Sequence, residues 1–379
     1  MKADVVVIGA GIVGACSAHY LAQAGLSVIV VDRGLIASGT TGAGEGNILV
    51  SDKEIGAELD LALYSQRLWT ELEVFIPHAE FEQKGGIVVA QSEKTLAKLQ
   101  HTAEFQSRAG VSTEFLDEQN LHNIEPHISR DVVGAVLYAQ DSQVQPMLAA
   151  TSLLHRNASS VKVLTGAEVV KIVSDAHGVC EVVTSVGTIS TRNVINAAGT
   201  WGGDIAKLAG VDLPIMPRRG FILVTEPLSH MVHHKVYTAE YLDNVASDDA
   251  GLETSTVVEG TRGGTILIGA SRERVGFDRT VNFEIISKLA TGAISLFPFL
   301  RDVSLMRTYL GFRPYCPDHL PVIGPDARLT GLFHACGHEG AGVGLAPASG
   351  KLIADAIVGN ALHLDLSPFR PERFDGVHV

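Results

Sequence analysis

The sequence lacks the features that would place it in several common classes of protein. Its four cysteines lie far apart without a CxxC pair, so neither a zinc ribbon nor an iron–sulfur ligand set is expected. Lysines and arginines number 29 against 42 acidic residues, which leaves no basic surplus for nucleic acid. No apolar run approaches the roughly 18 residues of a membrane-spanning helix. Four scattered thiols suit a reducing cytoplasm.

What is present indicates a large folded core. The 379 residues are 46% hydrophobic, and no repeat, low-complexity tract or flexible linker divides them. Short β-branched runs alternate with helix-forming stretches at both ends of the chain, whereas strands with tight turns fill its middle. We predict strands at 5–8, 28–31, 86–91, 161–164, 168–173, 179–183, 188–197, 220–225, 256–259, 265–269 and 332–335, and helices at 15–24, 58–75, 92–109, 282–296 and up to 357.

The first predicted strand, 5–8, leads into a glycine fingerprint, Gly9-x-Gly11-x-x-Gly14, that opens a helix. In this setting Gly9 permits a tight turn, Gly11 admits a pyrophosphate, and Gly14 lets helix and strand pack closely. Such a strand–turn–helix unit predicts a dinucleotide site.

The rest of this βαβ unit indicates how the dinucleotide binds. The helix N-terminus at Ile12 and Val13 offers N–H groups and a positive dipole end to the phosphates. Asp32, which closes the second strand, can accept hydrogen bonds from a ribose diol and so disfavours NADP, although the adjacent Arg33 weakens that argument. A fingerprint at residue 9 before a long mixed-sheet chain is usual for flavin enzymes.

Four later segments resemble the FAD-dependent D-amino acid oxidase family, which includes glycine oxidases, sarcosine oxidases and the FAD subunits of bacterial amine dehydrogenases of the opine or hydroxyproline type. They occur in family order and cover nearly the whole chain. The segments are SGTT at 38–41, NAAGTW at 196–201, GFRPYCPD with PVIG at 311–318 and 321–324, and GHEGAGVGLAP at 337–347.

The resemblance implies an α/β fold in which a Rossmann-like FAD-binding domain is interleaved with an antiparallel-sheet substrate domain. The FAD-binding domain would comprise 1–80, 146–218 and 305–379, and the substrate domain 81–145 and 219–304. We expect FAD to be bound non-covalently, because the 38–47 loop contains no cysteine or histidine; Cys316 is the alternative attachment point. No metal is expected, since His233 and His234 lack partners at ligand spacing.

Together, fingerprint and resemblance predict the residues that contact FAD. They are Gly9, Gly11, Ile12, Val13, Gly14, Asp32, Arg33, Gly39, Thr40, Thr41, Glu45, Gly46, Asn47, Val169, Ala197, Gly199, Trp201, Gly337, His338, Gly340, Gly342 and Val343.

The substrate residues are also predicted by resemblance. Arg313 matches the family's arginine that holds a substrate carboxylate, a task that suits a planar guanidinium. Tyr241 and Tyr309 are favoured over Tyr237 and Tyr315 as groups that orient this carboxylate. Arg272 is a candidate for a second carboxylate on a larger substrate.

Together with the resemblance, these residues predict an enzyme that oxidises the CH–NH bond of an amino acid or secondary amino acid by hydride transfer to flavin N5. The expected substrates are D-amino acids, proline or hydroxyproline, sarcosine or glycine, and opines. The electron acceptor is expected to be oxygen, a quinone or a partner redox subunit in a hetero-oligomer. In the sarcosine oxidase branch of the family that the chain resembles, a lysine faces the flavin near this position, so its absence after Gly269 favours a dehydrogenase. We expect it in the cytoplasm, free or at the inner membrane face. The alternatives are a 2-hydroxy acid dehydrogenase and an FAD-binding subunit inactive without its partner.

Overall fold

The computed structural model describes residues 1–239, 242 and 251–376, so the predicted site residue Tyr241 lies outside the described residues. The strands are β1 (Val5–Ile8), β2 (Val28–Val31), β3 (Asn47–Ile48), β4 (Gly86–Ala90), β5 (Thr113–Leu116), β6 (Gly134–Tyr138), β7 (Ser142–Gln143), β8 (Val161–Leu164), β9 (Val169–Asp175), β10 (Gly178–Thr184), β11 (Gly187–Ser190), β12 (Asn193–Asn196), β13 (Met216–Thr225), β14 (Lys235–Thr238), β15 (Glu253–Gly260), β16 (Ile266–Arg272), β17 (Leu305–Tyr315), β18 (Val322–Pro325) and β19 (Leu332–Cys336).

The helices largely follow the predicted amphipathic and capped segments. Ser92 caps α3 by accepting a hydrogen bond from the Thr95 amide, and Asn282 caps α7 in the same way. The helices are α1 (Ile12–Gln23), α2 (Ala57–Phe75), α3 (Glu93–Arg108), α4 (Glu118–Ile124), α5 (Pro146–Arg156), α6 (Gly202–Leu208), α7 (Phe283–Leu296) and α8 (Gly342–Val358).

A six-stranded sheet in the order β18-β19-β12-β1-β2-β8 forms the first half of the fold. Its strands are parallel except for β18, which pairs antiparallel with β19. β1 and β2 are buried on both faces, which explains their unbroken β-branched runs. Val5 and Val7 pack towards α1, α2, α5 and α8, whereas Val6 and Ile8 pack towards the small antiparallel sheet β11-β10-β9 and α6.

The strand predicted at 188–197 is wrong as a single element. The structure divides it into β11, in the three-stranded antiparallel sheet, and β12, in the parallel sheet. At the corner the Asn193 amide donates to Thr191 Oγ1, and the Thr191 hydroxyl bonds back to the main chain. The continuous apolar pattern hid this corner, because both halves are buried strands.

An eight-stranded sheet in the order β17-β13-β16-β15-β14-β4-β6-β5 forms the second half. All its pairings are antiparallel except that of β14 with β4. Its outer face packs under α4 and α7, and its inner face meets the core of the first half through side chains such as Tyr237 and Val257. The fold is therefore the predicted α/β arrangement, with mixed-sheet segments interleaved between parallel strands.

The domain boundaries stay a prediction. One observation bears on them: β17 pairs along its whole length with β13 in the eight-stranded sheet. A division of the chain by sheet would move residues 305–315 from the predicted FAD-binding domain to the substrate domain.

The segment Glu339–Val358, which contains α8, is long and apolar enough by length and composition to cross a membrane. In the fold this helix packs against α1 and α2, and most of its residues are buried. Core helices of soluble proteins have the same composition, so this feature is weak evidence for a span.

Candidate functional site

A cavity of about 770 Å³ lies between the carboxyl ends of the parallel strands and the eight-stranded sheet. The carboxyl edge of a parallel sheet is where α/β folds bind ligands. Among the predicted residues described by the structure, those that line this cavity are Gly9, Gly11, Ile12, Val13, Asp32, Arg33, Gly39, Thr40, Thr41, Glu45, Gly46, Asn47, Val169, Ala197, Gly199, Trp201, Arg272, Arg313, His338, Gly340, Gly342 and Val343.

Three predicted residues stand outside the cavity wall. A Cβ on Gly14 would lie 1.9 Å from the Gly9 carbonyl oxygen, so Gly14 lets helix α1 pack against the loop and does not face a ligand. Gly337 has φ +73°, and a Cβ there would lie 2.5 Å from Cys316 Sγ. Tyr309 lies behind the wall near Glu45.

The glycine loop is fixed by close backbone contacts. Gly9 has φ +113°, and a Cβ there would lie 2.4 Å from the Ala197 carbonyl oxygen at the end of β12. Thr41 Oγ1 accepts a hydrogen bond from the Ile12 amide, 3.0 Å away, at the N-terminus of α1. The loop is therefore held from both sides, with Gly11 and Val13 exposed to the cavity.

Asp32 is anchored as well as exposed to the cavity. Its Oδ2 accepts a hydrogen bond from the Ala10 amide at 2.8 Å, and its Oδ1 accepts one from the Gly34 amide at 2.7 Å. Each carboxylate oxygen keeps acceptor capacity beyond one hydrogen bond. The side chain thus presents a fixed acceptor where a ribose diol would lie.

A pair of threonines joins the cofactor side of the cavity to β17. Thr40 Oγ1 and Thr200 Oγ1 both hydrogen-bond to the Phe312 carbonyl oxygen, at 2.8 and 2.7 Å. Because Phe312 precedes Arg313, these contacts fix the backbone that carries the predicted carboxylate clamp.

Trp201 belongs to an aromatic stack that sequence reasoning missed. Its ring lies nearly parallel to that of Phe277, with centroids 5.4 Å apart, and Arg33 lies 4.4 Å from its centroid. The guanidinium of Arg33 is therefore engaged in a cation–π contact with Trp201. Alternating apolar residues around Phe277 were the available signal.

His338 is a neutral histidine. It is 3% exposed, and burial lowers its pKa to about 3. Its Nε2 lies 2.9 Å from Ser349 Oγ, whose proton is donated to the Leu345 carbonyl oxygen, so Nε2 carries the hydrogen. The side chain fixes the start of α8, and this arrangement does not favour proton transfer.

Arg313 reaches the cavity beside Gly220 on the neighbouring strand. Its Nη1 donates a 2.8 Å hydrogen bond to the Ser271 carbonyl oxygen, and a Cβ on Gly220 would lie 2.0 Å from the same nitrogen. The guanidinium therefore occupies the space that the missing side chain leaves. It lines the wall next to Gly340 of the predicted flavin loop, where a Cβ would lie 3.6 Å from Arg313 Nε.

A buried ion network backs this wall, and the sequence reading did not identify it. Arg218, which pairs in register with Arg313, is 1% exposed and bonds Glu253 at 2.8 Å and Glu339 at 2.7 Å. Burial opposes ionisation of Glu339, but His319 and Arg218 outweigh it, so the pKa of Glu339 is lowered. The adjacent arginines at 218 and 219 were the only sequence signal.

Arg272 lines the cavity and is 6% exposed. Its charge acts on Asp52. Burial raises the pKa of Asp52, but the charges of Lys53, Lys235 and Arg272 together outweigh burial, so this pKa is below its ordinary value. Arg272 is therefore one of three cations whose charge stabilises the Asp52 carboxylate.

The tyrosines divide in their placement. Burial, and then the charge of Glu45, raises the pKa of Tyr309, which stays neutral at physiological pH. Tyr237 is fully buried, bonded to Ser51 and Asp141, and does not line the cavity. Tyr315 stacks under Arg274 and Arg218.

Glu45, in the loop before β3, and Asn47, the first residue of β3, both line the cavity. Asn47 Nδ2 donates to Glu45 Oε2 at 2.9 Å, while Glu45 Oε1 and Asn47 Oδ1 are buried and accept no hydrogen bond from the described residues. Both oxygens therefore keep unused acceptor capacity.

Cys316 is buried beside Gly337 and is not part of the cavity wall, and burial raises its pKa well above the ordinary value. This placement gives no support to a thioether link to the cofactor. Within the part of the chain that the structure describes, no group of three or more histidines, cysteines and carboxylates could hold a metal ion.

The cavity suits FAD on the observations above. The fingerprint glycines let the loop, α1 and β12 pack closely, so that Gly9 and Gly11 line the cavity beside the N-terminus of α1. Asp32 offers an acceptor for a ribose. Its volume lies in the range of cofactor sites, about 300–1,000 Å³. Gly11, Val13 and Asp32 would hold the dinucleotide half, and Gly340, Gly342 and Val343 the flavin end.

Comparisons with known proteins agree with this assignment. The family model of FAD dependent oxidoreductases (DAO) matches residues 4–356. The hydrogen cyanide synthase subunit HcnC of Pseudomonas aeruginosa is 30% identical over 416 aligned residues, which cover 98% of this chain and 96% of that protein.

Solved structures share the complete fold. The glycine oxidase of Geobacillus kaustophilus superposes with a TM-score of 0.89 at 25% identity, covering 100% of this chain and 99% of that chain. The L-proline dehydrogenase of P. horikoshii gives the same TM-score, identity and coverage.

Proposed function

Because the chain belongs to the family of FAD-dependent oxidoreductases, we propose that it oxidises an amino acid or secondary amino acid at its CH–NH bond. The observation that carries this proposal is the placement of Arg313 in the wall of the dinucleotide cavity, anchored on Ser271. A guanidinium binds a carboxylate by two parallel hydrogen bonds and so fixes the substrate's Cα relative to the wall.

The residues of the site then act by binding and orientation. Arg313 takes the substrate carboxylate, and the Arg218–Glu339 pair behind it keeps the wall rigid. When bound, FAD supplies the acceptor for the hydride that leaves the substrate's Cα. The substrate nitrogen loses a proton, a C=N bond forms, and water hydrolyses the imine to a carbonyl compound and an amine.

The proposal also covers the electron acceptor and partners. The acceptor is oxygen, a quinone or a partner redox subunit. We favour a dehydrogenase, because Ala270 and Ser271 follow Gly269 where sarcosine oxidases of the family carry a lysine. HcnC is by name a subunit of a synthase, which supports a hetero-oligomer here. The cytoplasmic location stays a prediction.

An anaerobic screen of the purified flavoprotein tests the function. Glycine, sarcosine, proline, D-amino acids and opines are added in turn, and loss of the oxidised flavin absorbance identifies the substrate. Admission of air then separates fast reoxidation by oxygen from slow reoxidation, which is expected of a dehydrogenase. Bleaching by 2-hydroxyglutarate or glycolate alone would instead establish the hydroxy acid alternative.

A screen in which no compound bleaches the isolated chain would point to an FAD-binding subunit. Repeating it on the protein purified with its native partners separates that reading from a substrate missing from the screen. Bleaching that appears only with partners would withdraw the claim of turnover by the chain alone.

A further inference from the structure

The carboxylate of Glu45 lies in the cavity wall, and no cation among the residues that the structure describes forms an ion pair with it. Asn47 Nδ2 donates to its Oε2, and the Gln143 amide nitrogen Nε2 donates to its backbone oxygen at 3.3 Å. Its Oε1 is buried and unbonded among the described residues. A carboxylate withdrawn from water is stabilised by each hydrogen bond it accepts, so the partly buried Glu45 favours a further donor from elsewhere.

The charges around Glu45 do not supply that donor. Glu259, on β15, is fully buried. Burial, and to a smaller extent the negative charge of Glu45, raises the pKa of Glu259, although the positive charge of Lys84 lowers it. Lys84 lies 3.4 Å from Glu259 and donates to Gln143 and the Gly260 carbonyl. Tyr309, on β17, is a further titratable residue on which the charge of Glu45 acts.

Glu45 and Arg313 both contact strand β16. A Cβ on Gly269 would lie 2.4 Å from Glu45 Oε1, so the glycine makes room for the carboxylate. Two residues further along β16, the Ser271 carbonyl oxygen anchors Nη1 of Arg313. Glu45 and Arg313 therefore both contact β16, at positions two residues apart, and both line the cavity.

We propose that Glu45 binds the protonated amine of the substrate while Arg313 binds its carboxylate. An ammonium brings a positive charge and N–H donors, which are the complement of the Glu45 carboxylate in the cavity lining. A hydroxyl in the same place brings one donor and no charge, so Glu45 selects amino acids against 2-hydroxy acids. This inference rests on the proposed function and deepens it.

The test compares each amino acid with the analogue in which oxygen replaces nitrogen. The pairs are glycine with glycolate, sarcosine with methoxyacetate, and L-proline with tetrahydrofuran-2-carboxylate, and the pair used is the one whose amino acid bleaches the wild-type flavin. Amino acid affinity comes from the concentration dependence of anaerobic flavin reduction, and analogue affinity from perturbation of the oxidised flavin spectrum.

Glu45→Gln keeps the shape of the side chain and removes its charge. We expect it to bind the amino acid about 10- to 100-fold more weakly, the loss typical of a charge-assisted hydrogen bond, and to bind the oxygen analogue within about twofold of wild type. Glu45→Asp, which keeps the charge, should lose less. The surface variant Glu114→Gln should change neither affinity.

If Glu45→Gln binds the amino acid and its oxygen analogue with equally reduced affinity, or with unchanged affinity for both, the inference is overturned and the proposed function stands. If the variants fail to retain FAD, the wild type alone decides: the amino acid must bind at least tenfold more tightly than its oxygen analogue, and equal affinities refute the role of Glu45. If no amino acid bleaches the wild type, the proposed function itself fails.

Discussion

The guanidinium of Arg313 fills the space beside the backbone of Gly220, where a Cβ would stand 2.0 Å from Nη1. The two residues lie on adjacent strands, β17 and β13, and the register pairs Gly220 with Gly311. The position of the predicted carboxylate clamp therefore depends on an absent side chain on the next strand.

Gly220→Ala should displace this guanidinium. We expect the apparent KM for the substrate to rise at least tenfold with a smaller change in flavin content, because the added methyl group also approaches the Ser271 carbonyl oxygen. Steady-state kinetics and the melting temperature measure the two effects. Gly263→Ala is the control, since its Cβ meets nothing closer than 3.8 Å; an unchanged KM in Gly220→Ala would refute the packing argument.

Loss of the clamp itself should act on binding of the carboxylate. Arg313→Lys keeps a charge but not the fork of donors, and Arg313→Met removes both. We expect KM increases of about 10²- to 10³-fold for Met and smaller ones for Lys, with the absorbance of bound FAD retained. Unlike Glu45→Gln, these variants should weaken amino acid and oxygen analogue alike. A KM near that of wild type in Arg313→Met would disprove the assignment.

Asp32 should matter for the cofactor. Asp32→Ala removes the acceptor for the Ala10 and Gly34 amides as well as the predicted ribose contact. The affinity for FAD should fall by about tenfold or more, the loss expected for one or two hydrogen bonds to a charged group. The flavin-to-protein ratio that remains after dialysis measures this loss. The exposed Asp212→Ala provides the comparison. Full retention of FAD in Asp32→Ala would contradict the site.

Acid should destabilise the fold through His19. This histidine is 1% exposed, and burial lowers its pKa to about 4, partly offset by Asn157. The folded state then binds fewer protons than the unfolded chain between pH 6.5 and about 4, so stability is present above this window and is lost as pH falls through it.

The slope is measurable by chemical denaturation at several pH values. His19 contributes up to about 1.4 kcal/mol per pH unit, whereas Asp141, whose pKa burial raises to about 6, contributes in the opposite direction. His19→Gln should flatten the loss on acidification, and the exposed His155→Gln should not. Parallel curves for His19→Gln and wild type would show that His19 does not titrate as described.

Local signals carried the prediction of the first βαβ unit. Gly9 and Asp32 are specified by a turn and a strand end within one short segment, so sequence spacing describes their surroundings. The corner between β11 and β12 was invisible, because burial on both sides of Thr191 gives one apolar pattern.

Contacts between distant segments could not be predicted from the sequence. Arg313 was identifiable by its motif, but its dependence on Gly220 and Ser271 comes from strand pairing across about 40 or more residues. Tyr237 shows the converse: it lies in a suitable segment, yet β14 directs it into the core towards Asp141.

The central claim is tested most directly by a single-turnover measurement on the wild-type protein. Under anaerobic conditions, one equivalent of the bleaching amino acid should reduce the flavin and yield one equivalent of carbonyl product. The nitrogen should appear as ammonia or a primary amine or, for a cyclic substrate such as proline, within the ring-opened product. Flavin that stays oxidised with every amino acid but is reduced by a 2-hydroxy acid, with no nitrogen released, would contradict oxidation at the CH–NH bond.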